Sequence, residues 1–144
     1  MSDSKILIRQ FQINDETEVV ELWKVCKLTV PWNNPRKDIS RKMEISPELF
    51  LVGIIDYKII TTLMGGYDGH RGWINYLAVL PEFQKHGYGR QMVNYFEYKL
   101  REMGCPKINL QIRKGNDRVY EFYKKLGYSD DRAISMGKRL EKDN

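Results

Sequence analysis

Cysteine is scarce in this chain. Its two cysteines, Cys26 and Cys105, lie in no metal-ligand spacing and form no disulfide framework. A reducing cytoplasm is therefore the expected compartment. No apolar run approaches the roughly 20 residues that a membrane span requires, so no membrane association is expected. Met1-Ser2-Asp3-Ser4 has neither a basic patch nor an apolar h-region. No secretory signal is expected from it, and residues 1–4 are expected to form a disordered tail. Internal repeats, low-complexity stretches and linkers are absent, so residues 1–144 are expected to form a single domain. Blocks of like charge are absent too, although 24 basic against 19 acidic residues leave a net charge of +5. That excess suits a polyanionic small ligand, or an RNA or ribosomal surface. The scatter of lysine and arginine along the chain argues against nucleic acid as the main partner. What remains is 42% hydrophobic and 30% charged, the balance of a globular domain with a real core.

The most informative stretch is Gln84-Lys85-His86-Gly87-Tyr88-Gly89-Arg90. It follows an apolar run, Trp73 to Leu80, ended by Pro81, and it precedes a strongly periodic helix. Strand, glycine loop and helix start together make an anion site. The first helical turn carries N–H groups without internal partners, and the macrodipole adds positive potential. Gly87 and Gly89 let a phosphate approach the backbone, and Lys85 and Arg90 add charge beside it. The P-loop string of Gly-Lys-Ser/Thr is missing. The dinucleotide fingerprint also fails, because Met92 stands where a third small residue should. The bland reading is an ordinary left-handed turn ahead of a helix.

Periodicity places the elements. Lys5 to Arg9 reads as a strand. A helix then starts at Asp15, with Glu18 as capping-box partner and Val19, Leu22, Trp23 and Cys26 on its core face. Asn34-Pro35 opens a second helix, with Asn34 as N-cap, and Ser46-Pro47 stops it. Glu48 to Ile54, Ile59 to Tyr67 and Trp73 to Leu80 read as strands joined by short turns, hence antiparallel. Gly87 to Met103 is a helix with Met92, Val93, Phe96, Leu100 and Met103 on one stripe and Gly104 as C-cap. Lys107 to Ile112 reads as a strand, Asn116 to Leu126 as a helix and Ala133 to Leu140 as a final strand. This order predicts an α/β fold with a mixed, partly antiparallel sheet.

Two motifs carry a family resemblance. One is Leu77-Ala78-Val79-x-Pro81-x-x-Gln84-x-x-Gly87-x-Gly89, and the other runs from Asn116 to Phe122-Tyr123-x-x-Leu126-Gly127-Tyr128. In this order and separation the chain resembles the GCN5-related N-acetyltransferases (the GNAT superfamily) over nearly its whole length. Pro31 to Pro35 and Gly65 to Gly72 are similar to segments of the YpeA-type bacterial acetyltransferases. The resemblance implies helices on both faces of the sheet and a splay between two central strands. It implies acetyl-coenzyme A as cosubstrate, with no metal. The pantetheine arm would pair with Leu77-Ala78-Val79 as a pseudo-strand, and the pyrophosphate would sit on the amides of Gln84, Lys85, His86, Gly87, Tyr88, Gly89 and Arg90. Asn116 matches a pantetheine-contacting asparagine, although it suits a plain helix cap equally.

The implied reaction is direct acyl transfer to a primary amine, small-molecule or peptide, in a ternary complex. Tyr123 matches the general acid that protonates the leaving sulfur; its alternative is a core tyrosine. The base is missing from the pattern. Gln111 stands where some members carry glutamate, and Asn75 and Tyr76 occupy the strand position used by others. Asp68, His70 or a water chain remain as candidates, and His86 falls to anion binding. Cys26 and Cys105 read as structural thiols. Thr29 to Arg41 and Tyr67 to Gly72 would select the acceptor, with Trp32 either packing into the core or covering substrate. Without the glutamates, a non-catalytic acyl-coenzyme-A-binding module is the alternative function. A homodimer is a further expectation, from exposed strand edges.

Overall fold

The computed structural model describes residues 5–143, so the expected tail at residues 1–4 lies outside the described residues. The elements run β1 (Leu7–Gln10), α1 (Glu16–Val25), α2 (Pro35–Glu44), β2 (Phe50–Ile55), β3 (Lys58–Tyr67), β4 (Gly72–Val79), α3 (Tyr88–Glu102), β5 (Ile108–Leu110) and α4 (Asp117–Lys125). The strands form one sheet in chain order, β1-β2-β3-β4-β5. The first four pair antiparallel, and β4 pairs parallel with β5. None of the described helices is long and apolar enough to cross a membrane.

Local chemistry explains most boundaries. Asn34 caps α2, its Oδ1 accepting from the N–H groups of Arg36 and Lys37, with Pro35 in the first turn where a missing N–H costs nothing. The β2–β3 hairpin turns on Asp56 and Tyr57, both left-handed at φ 48° and 66°, which matches the twist of the flanking strands. Helices cover both faces. Val19, Leu22 and Trp23 of α1 and Ile39 of α2 pack on one side with Phe50, Val52 and Ile60. Met92, Val93, Phe96 and Leu100 of α3 and Tyr123 of α4 pack on the other with Leu51, Leu63 and Ile74. Burial on both faces is why β2 and β3 read as nearly unbroken apolar runs.

β4 bends in mid-strand. Thr62 pairs with Ala78 but Met64 with Asn75, so β4 carries extra chain at Tyr76 and Leu77. Tyr76 takes up the bulge at φ 50°, in the left-handed region that bulky side chains avoid. The extra residue reverses the alternation. Ile74 belongs to the α3–α4 face, whereas Tyr76, Ala78 and Leu80 all belong to the α1–α2 face. A buried chain of hydrogen bonds fixes the bend. Trp23 Nε1–H donates to Thr62 Oγ1 at 2.9 Å, and the Thr62 hydroxyl donates to the Tyr76 carbonyl at 2.8 Å. The neighbouring Thr61 hydroxyl donates to the Ala78 carbonyl at 2.7 Å. The Trp23 and Tyr76 rings stack with centroids 3.8 Å apart.

Four expectations change. Residues 133–140 form no strand and lie outside the sheet. β5 is therefore the edge, and the splay lies between β4 and that edge. Glu18 makes no capping box; its carboxylate accepts from the Ile59 N–H at 2.8 Å, tying α1 to the start of β3. Trp32 is 57% exposed rather than in the core, with the Arg113 guanidinium 6.0 Å from its ring centroid. Met103 ends the α3 stripe but is 45% exposed, beyond the reach of the sheet.

Thr62→Val should lower unfolding free energy by about 1–3 kcal/mol, because it strands the Trp23 indole N–H in the core. Thr62→Ser should retain most of that stability. Urea unfolding of the three proteins checks this, and equal midpoints for Val and wild type would remove the hydrogen-bond chain as the support of the bend.

Candidate functional site

The β4–β5 ladder covers only Gly72–Ile108, Trp73–Asn109 and Ile74–Leu110. Beyond Ile74 the strands diverge, so Asn75 to Val79 lack a β5 partner. The divergence follows from the bulge, which turns β4 aside at Tyr76, two residues after the last pair. The result is a cleft whose wall is the backbone edge of Leu77, Ala78 and Val79. Unpaired strand edges of this kind accept an extended ligand as an added strand.

The glycine loop closes one end of the cleft. Lys85 and Gly87 are left-handed, at φ 66° and 86°, and they swing the chain into α3 at Tyr88. No side chain caps that helix, so its first-turn amides keep their donors free. Lys85, His86 and Arg90 are exposed around it. Gln84 points back, its Nε2 donating to the Val79 carbonyl at 2.8 Å, and so couples the loop to the end of the β4 edge. Tyr88 is buried against Phe83 and belongs to the core rather than the loop surface.

The two glycines differ in what they supply. A Cβ on Gly87 would meet nothing within 4 Å, and that residue is needed for its positive φ. A Cβ on Gly89 would sit 3.2 Å from Phe122 Cζ and 3.6 Å from Val79 Cγ2. Gly89 is thus the point where the β4 edge, the start of α3 and α4 converge. The close approach that it permits is to α4.

α4 brings the second motif to the same place. Asn116 is its N-cap, with Oδ1 accepting from the Val119 N–H at 3.4 Å. Tyr123 is 5% exposed, edge-on to Phe122 and Tyr128 at centroid distances of 5.0 and 5.4 Å. Burial pushes the Tyr123 phenol above the ordinary tyrosine value. Tyr128 is raised as well, by burial and by donating to Glu97 Oε2 at 2.7 Å.

Asp68 and His70 do not reach the cleft. Their turn sits at the paired end of β4, before Gly72, and the Asp68 carboxylate accepts from the His70 and Arg71 N–H groups, both at 2.7 Å. Gln111 directly follows the last paired residue of β5, in contact with Ser135 through its side-chain amide. Cys26 donates its thiol to the Val79 carbonyl at 3.3 Å, and burial raises its pKa. Cys105 is turned to the Lys107 carbonyl, also at 3.3 Å. Sequence reasoning missed one cluster. The Tyr76 hydroxyl donates to Asp38 Oδ2 at 2.7 Å, and Asn33 Nδ2 donates to both, at 2.7 Å to Asp38 and 2.9 Å to Tyr76. A carboxylate from α2 thereby stands at the bend, and its partners lie too far apart in sequence to be paired by motif.

Comparison with known proteins bears on the family and the fold. The family model described as the acetyltransferase (GNAT) family matches residues 15–128. An acetyltransferase of Yersinia enterocolitica serotype O:8 is 47% identical over 133 residues, covering 92% of this chain and 94% of that protein. Among solved structures, AAC(6')-Iy in complex with a coenzyme A bisubstrate analog superposes with a TM-score of 0.74 at 18% identity, over 95% of this chain and 100% of that one. Glucosamine-6-phosphate N-acetyltransferase from Arabidopsis thaliana gives 0.69 at 25% identity, over 95% and 99%.

The buried Tyr123 phenol makes a pH prediction. In the folded chain it holds its proton more tightly than in the unfolded chain, whose tyrosines titrate near 10. Its contribution to stability is intact below about pH 10 and is lost as pH rises toward the folded-state value. Denaturant titrations from neutral to alkaline pH should show Tyr123→Phe losing less stability over that window than wild type. Identical alkaline slopes would contradict the burial of this hydroxyl.

Proposed function

The chain belongs to the acetyltransferase (GNAT) family, and from that premise we propose that it transfers an acetyl group from acetyl-coenzyme A to a primary amine by direct attack in a ternary complex. One observation carries the reading: an unpaired β4 edge runs directly into a glycine loop whose helix amides are uncapped. The two features suit two parts of one ligand. The amide-bearing pantetheine arm pairs with Leu77, Ala78 and Val79. The pyrophosphate takes the amides and cations of Gln84 to Arg90. Asn116 contacts the arm through whatever hydrogen-bonding capacity its long cap bond leaves over. An amine as acceptor accords with the N-acetyltransferase among the structural neighbours.

Acetyl-coenzyme A supplies an activated thioester carbonyl. A neutral amine forms the new C–N bond, the C–S bond breaks, and the sulfur leaves with a proton. A backbone N–H near Val79 faces the developing oxyanion. Tyr123, still protonated at neutral pH, donates to the sulfur. The ammonium proton leaves by water toward the Asp38 carboxylate at the bend, a group better placed than Asp68 or His70. Asn33 and Tyr76 hold that carboxylate in position.

Calorimetry with acetyl-coenzyme A, followed by thiol release on a panel of primary amines, tests the reading. Binding with no turnover on any amine would instead favour an acyl-coenzyme-A-binding module. No binding at millimolar cosubstrate would overturn both. Within an active enzyme, Tyr123→Phe should lower kcat by about 10²-fold or more while changing the acetyl-coenzyme A Kd little, since a general acid acts in the transition state. Unchanged kcat would remove Tyr123 from the chemistry.

A further inference from the structure

A side-chain contact spans the splay between β4 and β5. Arg113 continues the β5 side, three residues beyond Leu110, the last to pair. Trp32 stands on the connection between α1 and α2, which is tied to the β4 side: its neighbour Asn33 donates to the Tyr76 hydroxyl at 2.9 Å. The Arg113 guanidinium lies over the Trp32 ring, 6.0 Å from its centroid. Both residues are exposed, so neither serves to fill the core. An aromatic face attracts a guanidinium and leaves the N–H groups in its plane free to bond elsewhere. Among the described residues no carboxylate pairs with Arg113. A contact that only closed the cleft would be served as well by an apolar side chain on the ring.

The acids at this end are committed unequally. Glu141 and Asp143 pair with Arg41, and Asp143 also lies 3.5 Å from Arg139. Asp38 keeps one oxygen open. Its Oδ2 accepts from Asn33 and from the Tyr76 hydroxyl. Its Oδ1 accepts no hydrogen bond among the described residues, with Arg41 Nη1 3.6 Å away. Trp32 and Asn33 are adjacent in the chain, so an uncommitted guanidinium and an open carboxylate oxygen flank one loop. This arrangement complements a small molecule with a cationic and an anionic group. The planar fork of a guanidinium matches the two oxygens of a carboxylate.

We propose that the amine acceptor also carries a carboxylate, which Arg113 grips with Trp32 behind it: the substrate is a free amino acid. The proposal rests on the acetyl-transfer reading and names its acceptor. The amine goes to the Asp38 side of the Trp32–Asn33 loop and the carboxylate to the Arg113 side. The amine nitrogen bonds the acetyl carbon and the C–S bond breaks. The products are the N-acetylated acid, the coenzyme A thiol and a proton.

The test is a panel of α- and ω-amino acids, each paired with its own carboxamide. For the preferred acid, kcat/KM should exceed that of its amide by roughly tenfold or more, the worth of a hydrogen-bonded charge pair. In Arg113→Gln the ratio should fall to about one, and Arg113→Lys should keep part of it as a point charge. A merely structural role for Arg113 would lower both arms alike. Calorimetry of the coenzyme A-saturated wild type with the same pairs reads the preference without turnover, and it decides the matter even if the variants fail to fold. Thiol release from no amine at all would overturn the transfer reading, while the difference in binding between acid and amide would still judge this one. Acids bound no better than their amides, a ratio unchanged in folded Arg113→Gln, or an aminoalkyl phosphate preferred to every acid would each overturn the proposal.

Discussion

Everything specific to the cleft depends on one tyrosine held in a conformation that tyrosines avoid. A left-handed backbone costs a bulky residue about 1–2 kcal/mol. At Tyr76 that cost is offset locally: the ring stacks on Trp23, and the carbonyl takes the Thr62 hydroxyl. The stack is worth about 0.5–1.5 kcal/mol and each hydrogen bond about 1 kcal/mol, so the support exceeds the strain. The bend then does two things at once. It peels β4 from β5 and so opens the cleft. It also switches Tyr76, Ala78 and Leu80 to the α1–α2 face, which carries the Tyr76 hydroxyl across to Asp38. A regular β4 would keep pairing with β5 and would point Tyr76 at α3.

The glycine loop is tied to the same bend. Gln84 bonds the carbonyl of Val79, where β4 ends, and Gly89 lets α4 approach within contact of that residue. Phosphate-binding capacity at a helix start is a local property. A cleft that also aligns a thioester needs the helix start, the strand edge and the α4 tyrosine fixed relative to one another. Gly89 is where that registration is made, so its small size serves packing first. Gly87 serves the backbone turn that aims the amides.

Local signals in the sequence were sufficient for the elements whose causes are local. Asn34-Pro35 announces its helix because cap and first turn are adjacent, and the stripe from Met92 to Leu100 announces α3 because its face repeats each turn. The glycine turn into α3 was legible for the same reason. The bulge was not. Its support comes from Trp23 and Thr62, far from Tyr76 in sequence, and a tyrosine carries no mark of positive φ. Glu18 misled because its partner, the Ile59 amide, lies on another element. The strand expected over Ala133 to Leu140 failed because a sequence pattern says nothing of whether a partner strand is there to receive it, and every residue of that stretch stays exposed. The carboxylate proposed as proton acceptor stayed illegible because Asp38 is an ordinary surface-type residue of α2 until Tyr76 is bent toward it.

The burial of Tyr123 bears on the chemistry proposed for it. Raising its pKa makes the phenol a weaker acid, which by itself opposes proton donation. The recipient, however, is a thiolate of ordinary pKa about 8.5, leaving into the same water-poor surroundings. Desolvation disfavours an anion on either atom, so it raises the affinity of sulfur for a proton along with that of the phenol. The gap between donor and acceptor is then set by their intrinsic difference and by the distance between them, and not by the absolute shift. What burial adds is position. With Phe122 and Tyr128 edge-on to its ring, Tyr123 has few rotamers, and a hydroxyl that is fixed before the sulfur departs loses little entropy in meeting it. A tyrosine on the exposed face of α4, such as Tyr120, would lack that fixed position.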